Sequence, residues 1–173
     1  MRKTLLLTIV FGLLAAVPAL SADGAALGIQ GGIGEFAEVN QPYFAVGLRL
    51  PLGDREDEGV RGYWEPEVTY TDGDGGQALS LGVNLVGSLT QGVVGTYIGA
   101  GLAYHDLSYE PNPELGEGFD LDDSSLGANF HAGVDLRVSD GLTLFGQGRI
   151  DFIEGQRYDK VLGRATIGLR IHF

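Results

Sequence analysis

Apolar residues in this chain fall two apart, and the pattern recurs in eight separate runs. In Leu79-Ser80-Leu81-Gly82-Val83-Asn84-Leu85 the odd positions are aliphatic and the even ones small or polar. From Leu126 to Val138 every even position is apolar. The last run sets Val161, Ala165, Ile167, Leu169, Ile171 and Phe173 against Arg164, Thr166, Gly168, Arg170 and His172. Successive side chains of a strand point to opposite faces, so each run has one greasy and one polar face. The runs span roughly 26–36, 43–51, 61–71, 78–88, 94–105, 125–138, 142–152 and 162–173. No stretch beyond Leu20 reaches the length of an apolar membrane helix.

Length separates two readings of these strands. Strands of soluble domains average about five to six residues, whereas tilted membrane strands need about nine to eleven. Most runs here are of the second kind. Their connections alternate in character. Ser139-Asp140-Gly141 predicts a tight hairpin in which Asp-Gly supplies backbone freedom, and Leu89–Val93 is also short. Leu107–Ser124 and Ile153–Val161 are longer. Short turns on one rim and longer loops on the other describe a membrane barrel. Two links fit less well, since 52–60 is long for an inner turn and 72–77 short for an outer loop.

The first residues read as an export signal. Arg2 and Lys3 precede an apolar run from Leu5 to Leu20, and Ala19-Leu20-Ser21-Ala22 offers a cleavage site. Residues 1–22 are therefore expected to be removed, leaving a barrel domain of 23–173. Composition narrows the function. The 173 residues include no cysteine, which excludes disulfides, thiolate metal sites and a thiol nucleophile. A net charge of −12 argues against nucleic acid as partner.

Alternation alone does not say which face meets solvent, because a soluble barrel alternates too. Three features favour an apolar exterior. The polar faces are rich in glycine, as at Gly28, Gly32, Gly99, Gly101, Gly127 and Gly133, which suits a crowded lumen better than a wetted surface. Aromatic residues sit near the ends of the apolar faces, with Phe44, Tyr70, Tyr104 and Phe152 toward an outer rim and Trp64 and Phe173 toward an inner one. These read as two interfacial girdles. The chain also stops on an aromatic at the end of an amphipathic strand.

The signal segment, the eight runs and the closing Ala165-Thr166-Ile167-Gly168-Leu169-Arg170-Ile171-His172-Phe173 resemble small bacterial outer-membrane barrels of the OmpX-like and OmpA transmembrane-domain type. The resemblance covers the whole segment after the signal and rests on pattern rather than a diagnostic motif. It implies an all-β fold, an eight-stranded antiparallel up-and-down transmembrane β-barrel. It also implies that terminal Phe173 is the signal read by the outer-membrane insertion machinery. The peptidoglycan-binding domain that follows the barrel in OmpA-like proteins is not expected.

With the apolar faces in lipid, the lumen receives Arg49, Glu65, Glu67, Asp135, Arg137, Arg149, Asp151, Arg164 and Arg170, together with Gln30, Asn84 and Gln147. Eight strands leave room for side chains only, so these charges are expected to pair. Counting from the hairpin centres puts Asn84 near Glu65 and His131 near Arg149.

Sites for chemistry are sparse. Asp106, Glu110, Glu114, Glu117, Asp120, Asp122 and Asp123 form an acidic loop without ligand spacing, and 72–76 reads as a turn rather than a calcium loop. The one serine hydrolase arrangement that can be assembled joins His105, expected at the outer rim, with Ser124 or Ser125 and with Asp106 or Asp123. The expectation is a monomeric, non-enzymatic outer-membrane protein without catalytic residues, metal or cofactor. Its partners are membrane lipid and lipopolysaccharide, and its acidic loops make surface contacts serving envelope integrity, adhesion or ligand contact. A narrow gated ion channel, a lipid A-modifying enzyme and a soluble periplasmic lipocalin-like barrel are the alternatives.

Overall fold

The computed structural model describes residues 24–36, 39–53, 60–73, 76–109, 121–154 and 159–173. The expected signal segment, Glu110, Glu114, Glu117 and Asp120 lie outside them. Eight strands follow in order: β1 (Ala26–Phe36), β2 (Val39–Pro51), β3 (Val60–Gly73), β4 (Gly76–Gln91), β5 (Val94–Tyr109), β6 (Leu121–Ser139), β7 (Leu142–Glu154) and β8 (Asp159–His172). Each pairs antiparallel with its neighbour in sequence, and β1 pairs with β8, so the sheet closes into an up-and-down barrel. Closure leaves no free sheet edge.

The two faces are sorted as a membrane wall is. Along β7, Thr143, Phe145, Gln147, Arg149, Asp151 and Ile153 are buried, while Leu144, Gly148, Ile150, Phe152 and Glu154 are exposed. Ile167 is 76% exposed and Leu102, Ile98 and Leu126 are 71% exposed, whereas Asn84 and Asp151 are 0% exposed. A soluble lipocalin-like barrel requires the opposite assignment, with its aliphatic faces meeting inside. That alternative does not describe this molecule.

Three boundaries differ from the pattern. β2 begins at Val39, β5 runs to Tyr109 and β6 starts at Leu121. The β5–β6 ladder continues through Tyr109↔Leu121, past the apolar band, where alternating hydrophobicity has stopped but backbone pairing has not. Asp106, Asp122 and Asp123, expected in the long loop, therefore lie on strands. The hairpin at Ser139–Leu142 is where it was expected, yet Gly141 is absent from the glycines with left-handed φ. A register shift between Arg137 and Ser139 accommodates the turn instead. Gly92, with φ of 64°, supplies left-handed freedom to the β4–β5 turn.

Candidate functional site: a sealed lumen

The interior divides into layers. The rim where β1 begins and β8 ends is the proximal rim, and the opposite one is distal. Near the proximal rim Val86, Tyr97 and Phe145 pack together with Tyr63 against them. Near the distal rim Ala78, Leu107, Ile153 and Leu162 form a second apolar layer. Charged residues fill the middle, and Asp135 and Arg170 reach the level of the proximal cluster.

They are joined in two chains. Arg49 Nε donates to Glu65 at 2.7 Å, and Arg49 Nη1 reaches Asp135 at 3.4 Å. Asp135 also pairs with Arg170. In the second chain Arg149 pairs with Glu67, Arg149 Nε donates to Asp151 at 2.9 Å, and Arg164 Nε reaches Asp151 at 3.1 Å. Neutral groups connect the chains. Gln30 Nε2 donates to Glu67 at 2.6 Å, and Gln30 Oε1 accepts from Thr166 at 2.9 Å and from Gln147 at 3.4 Å. Tyr97 Oη donates to Gln147 at 3.1 Å, while its ring lies 4.8 Å from the Arg49 guanidinium and 4.7 Å from that of Arg170. Arg164 stacks over Tyr43 at 4.7 Å. Cationic stacking of this kind stabilises a guanidinium that water cannot reach.

Among the described residues, Arg49, Arg149, Arg164 and Arg170 pair with Glu65, Glu67, Asp135 and Asp151, four cations with four carboxylates. Arg137, expected among them, is instead exposed beside the register shift at the proximal rim. It has the same strand parity as Asp135 and pairs with Thr143, but it lies in the last turn-proximal residues of β6, where the wall is exposed. The register places Asn84 opposite Glu65 and His131 opposite Arg149. Asn84 Nδ2 donates to the Glu65 carbonyl at 3.3 Å.

The glycines on the polar faces make this filling possible. A Cβ at Gly99 would overlap the His131 ring, and one at Gly101 would overlap Asn84. On the outward face, Gly148 and Gly163 meet nothing.

The aromatic residues expected at the girdles lie on the outward face of the wall. Phe44, Trp64, Tyr104, Phe152 and Phe173 are exposed and Tyr70 is partly so. Phe130, not among the expected girdle residues, is also exposed and packs edge-on to Phe152 with ring centroids 6.3 Å apart. It lies within an apolar run, with no rim signal to mark it. Tyr43, Tyr97 and Tyr63 turn inward.

The hydrolase arrangement comes together only in part, as His105 with Ser125. His105 is buried in the lumen rather than placed at the rim, and its Nδ1 lies 2.8 Å from Ser80 Oγ. Asp106, one residue on, faces the other side of the wall, as does Ser124. Ser125 lies opposite His105 in register and is buried with it. His131 approaches Asn129 Oδ1 at 3.4 Å, and His172 shares a 2.9 Å contact with Thr143 near the proximal rim. No cluster of potential metal ligands occurs among the described residues.

No family model matches the chain, and no curated protein matches it significantly by sequence. Solved structures do match. Neisserial surface protein A aligns over 87% of this chain and 96% of its own, with a TM-score of 0.56 and 17% identity. Ail, the attachment invasion locus protein of Yersinia pestis, in complex with the heparin analogue sucrose octasulfate, aligns over 88% and 100%, with a TM-score of 0.58 and 12% identity. The outer-membrane enzyme PagL aligns over 86% and 99%, with a TM-score of 0.55 and 15% identity. At these identities what is shared is the fold, an eight-stranded antiparallel barrel that supports both binding and catalysis.

Proposed function

We propose that this protein is a monomeric, non-enzymatic barrel of the bacterial outer membrane, delivered by a cleaved signal and displaying an acidic surface outside the cell. One observation carries the reading: an aliphatic wall surrounds a lumen filled with buried, ion-paired side chains. Such a wall is stable only against lipid. The filled lumen weighs against the ion-channel alternative, since its charged side chains are buried and the void beside Arg49 and Glu67 is only about 10 Å³. In this reading Phe173 is the handle for the insertion machinery, and membrane lipid and lipopolysaccharide are the surrounding partners.

The distal ends of the strands carry Asp72, Asp106, Asp122, Asp123, Glu154 and Asp159 against Lys160. A surface of this sign suits a cationic partner, or a phosphate bridged by a divalent cation. It is the wrong sign for a polyanion such as the heparin analogue held by Ail. The words "surface protein" and "attachment" attached to two fold relatives lean toward surface contact, while PagL supplies the enzymatic counter-example.

Envelope fractionation with a denaturing gel of boiled and unboiled samples tests the placement. An outer-membrane band that shifts on boiling is expected, because a closed barrel resists detergent until heated. A water-soluble band without a shift overturns the reading. Mass spectrometry of lipid A from cells with and without the protein tests the non-enzymatic part, with identical spectra expected.

A further inference from the structure

Seven of the eight strand pairings run without an interior gap among the described residues, apart from the shift beside the proximal turn. The β2–β3 pairing is different. Gly47 pairs with Glu67 and Leu50 with Trp64 in one constant register, yet Leu48 and Arg49 have no ladder partners between them. The residues opposite are Pro66 and Glu65. Proline has no amide hydrogen, so the Leu48 carbonyl receives no donor from Pro66. The gap falls in the proximal half of the wall, next to Trp64.

Side chains hold what the backbone does not. Arg49 and Glu65, the inward pair at the gap, are joined by the 2.7 Å ion pair, and both are buried. Arg49 is steadied by Tyr63 and Tyr97 at 5.3 and 4.8 Å and by Asp135 across the lumen. Its Nη2 has no protein acceptor. Behind the gap lies a void just large enough for one water, bordered by Gly47, Arg49, Glu65 and Glu67. Gly47 and Arg49 border this void from β2, and Glu65 and Glu67 border it from β3.

We propose that the β2–β3 seam is the place where the barrel wall opens laterally toward the membrane, and that the Arg49–Glu65 pair latches it shut. Local opening at the gap breaks the Arg49–Glu65 pair and the backbone bonds that flank Pro66, and it exposes the void between β2 and β3 to the lipid side. The proposal rests on the membrane placement argued above. The gel shift on boiling reports that placement, and the exchange pattern described next reports the seam, so failure of either is separately visible.

Hydrogen exchange followed by mass spectrometry, on the full barrel refolded in lipid nanodiscs, tests the seam. Peptides covering 44–52 and 62–69 are expected to exchange about tenfold faster than those covering 80–86 and 128–134, as a locally opening segment does. Glu65→Gln should accelerate exchange in the seam peptides alone. Pro66→Val restores the missing amide donor and should slow them, and it should offset Glu65→Gln in the double variant. Seam protection equal to that of β4–β6 in the unmodified protein overturns the proposal. So does a folded, heat-shifting Pro66→Val with unchanged seam exchange, or a Glu65→Gln whose exchange rises evenly around the barrel. If Glu65→Gln does not fold, Pro66→Val decides alone.

Discussion

Asp151 accepts a hydrogen bond from Arg149, forms an ion pair with Arg164 and has no exposed surface. Asp151→Ala would leave Arg164 without its carboxylate and Arg149 with Glu67 alone, in a buried space. The expected loss is about 3–5 kcal/mol, the usual result of breaking a buried pair from one side. It would be read as a lower urea midpoint of the refolded barrel, followed by the fluorescence of Trp64, the chain's one tryptophan. Arg137→Ala removes a charge of the same sequence character from the exposed proximal rim and should leave the midpoint where it was. Equal losses at the two positions would mean that burial is not what makes the network matter. At this scale parity was legible, because a period-two pattern assigns every residue a face. Depth was not, which is why Arg137 read as lumenal.

Among the strands, β5 shows how composition shapes a wall. Gly99 and Gly101 face inward, and the space they leave is taken by the His131 ring and Asn84. Gly101→Val should therefore overpack the lumen and cost about 1–3 kcal/mol. Gly148→Val, on the lipid face of β7 with nothing near it, should cost little. Comparing the two urea midpoints checks the claim, and equal effects would count against a filled lumen. The glycine-rich polar faces were visible in the sequence. Which glycines are needed was not, since that depends on side chains from β4 and β6. The distal strand ends illustrate the same limit: polar sequence hides strand once lipid no longer dictates alternation, although the β5–β6 backbone goes on pairing to Tyr109↔Leu121.

For the whole molecule, the outward apolar band and the closed interior make separate predictions. Ile167→Arg places a charge on the most exposed apolar position of the wall. Near the bilayer midplane such a change costs about 2–4 kcal/mol. The same substitution on a water-facing surface would be nearly neutral, so the refolding midpoint distinguishes the two environments. Trp64 should be quenched by brominated lipid and shielded from aqueous iodide. In planar bilayers the protein should give no unit conductance steps. Regular steps would show that the layers around Leu107 and Phe145 part together.

The amino-acid sequence alone determined the number of strands, their antiparallel order and the face each residue takes. Those properties follow from local alternation and from turns between adjacent runs, so short stretches of chain suffice to read them. Hairpin register was readable for the same reason, as Glu65 opposite Asn84 and His131 opposite Arg149 illustrate. Only the tertiary structure decided which charges meet across the lumen. Arg49 and Asp135 are 86 residues apart in sequence, and Gln30 and Thr166 are 136 apart. Closure of β1 on β8, strand tilt and the length of each side chain bring them together, and none of these is a local quantity. The two apolar layers arise in the same way, as Ala78, Leu107, Ile153 and Leu162 come from four strands and become a seal only once the barrel has closed.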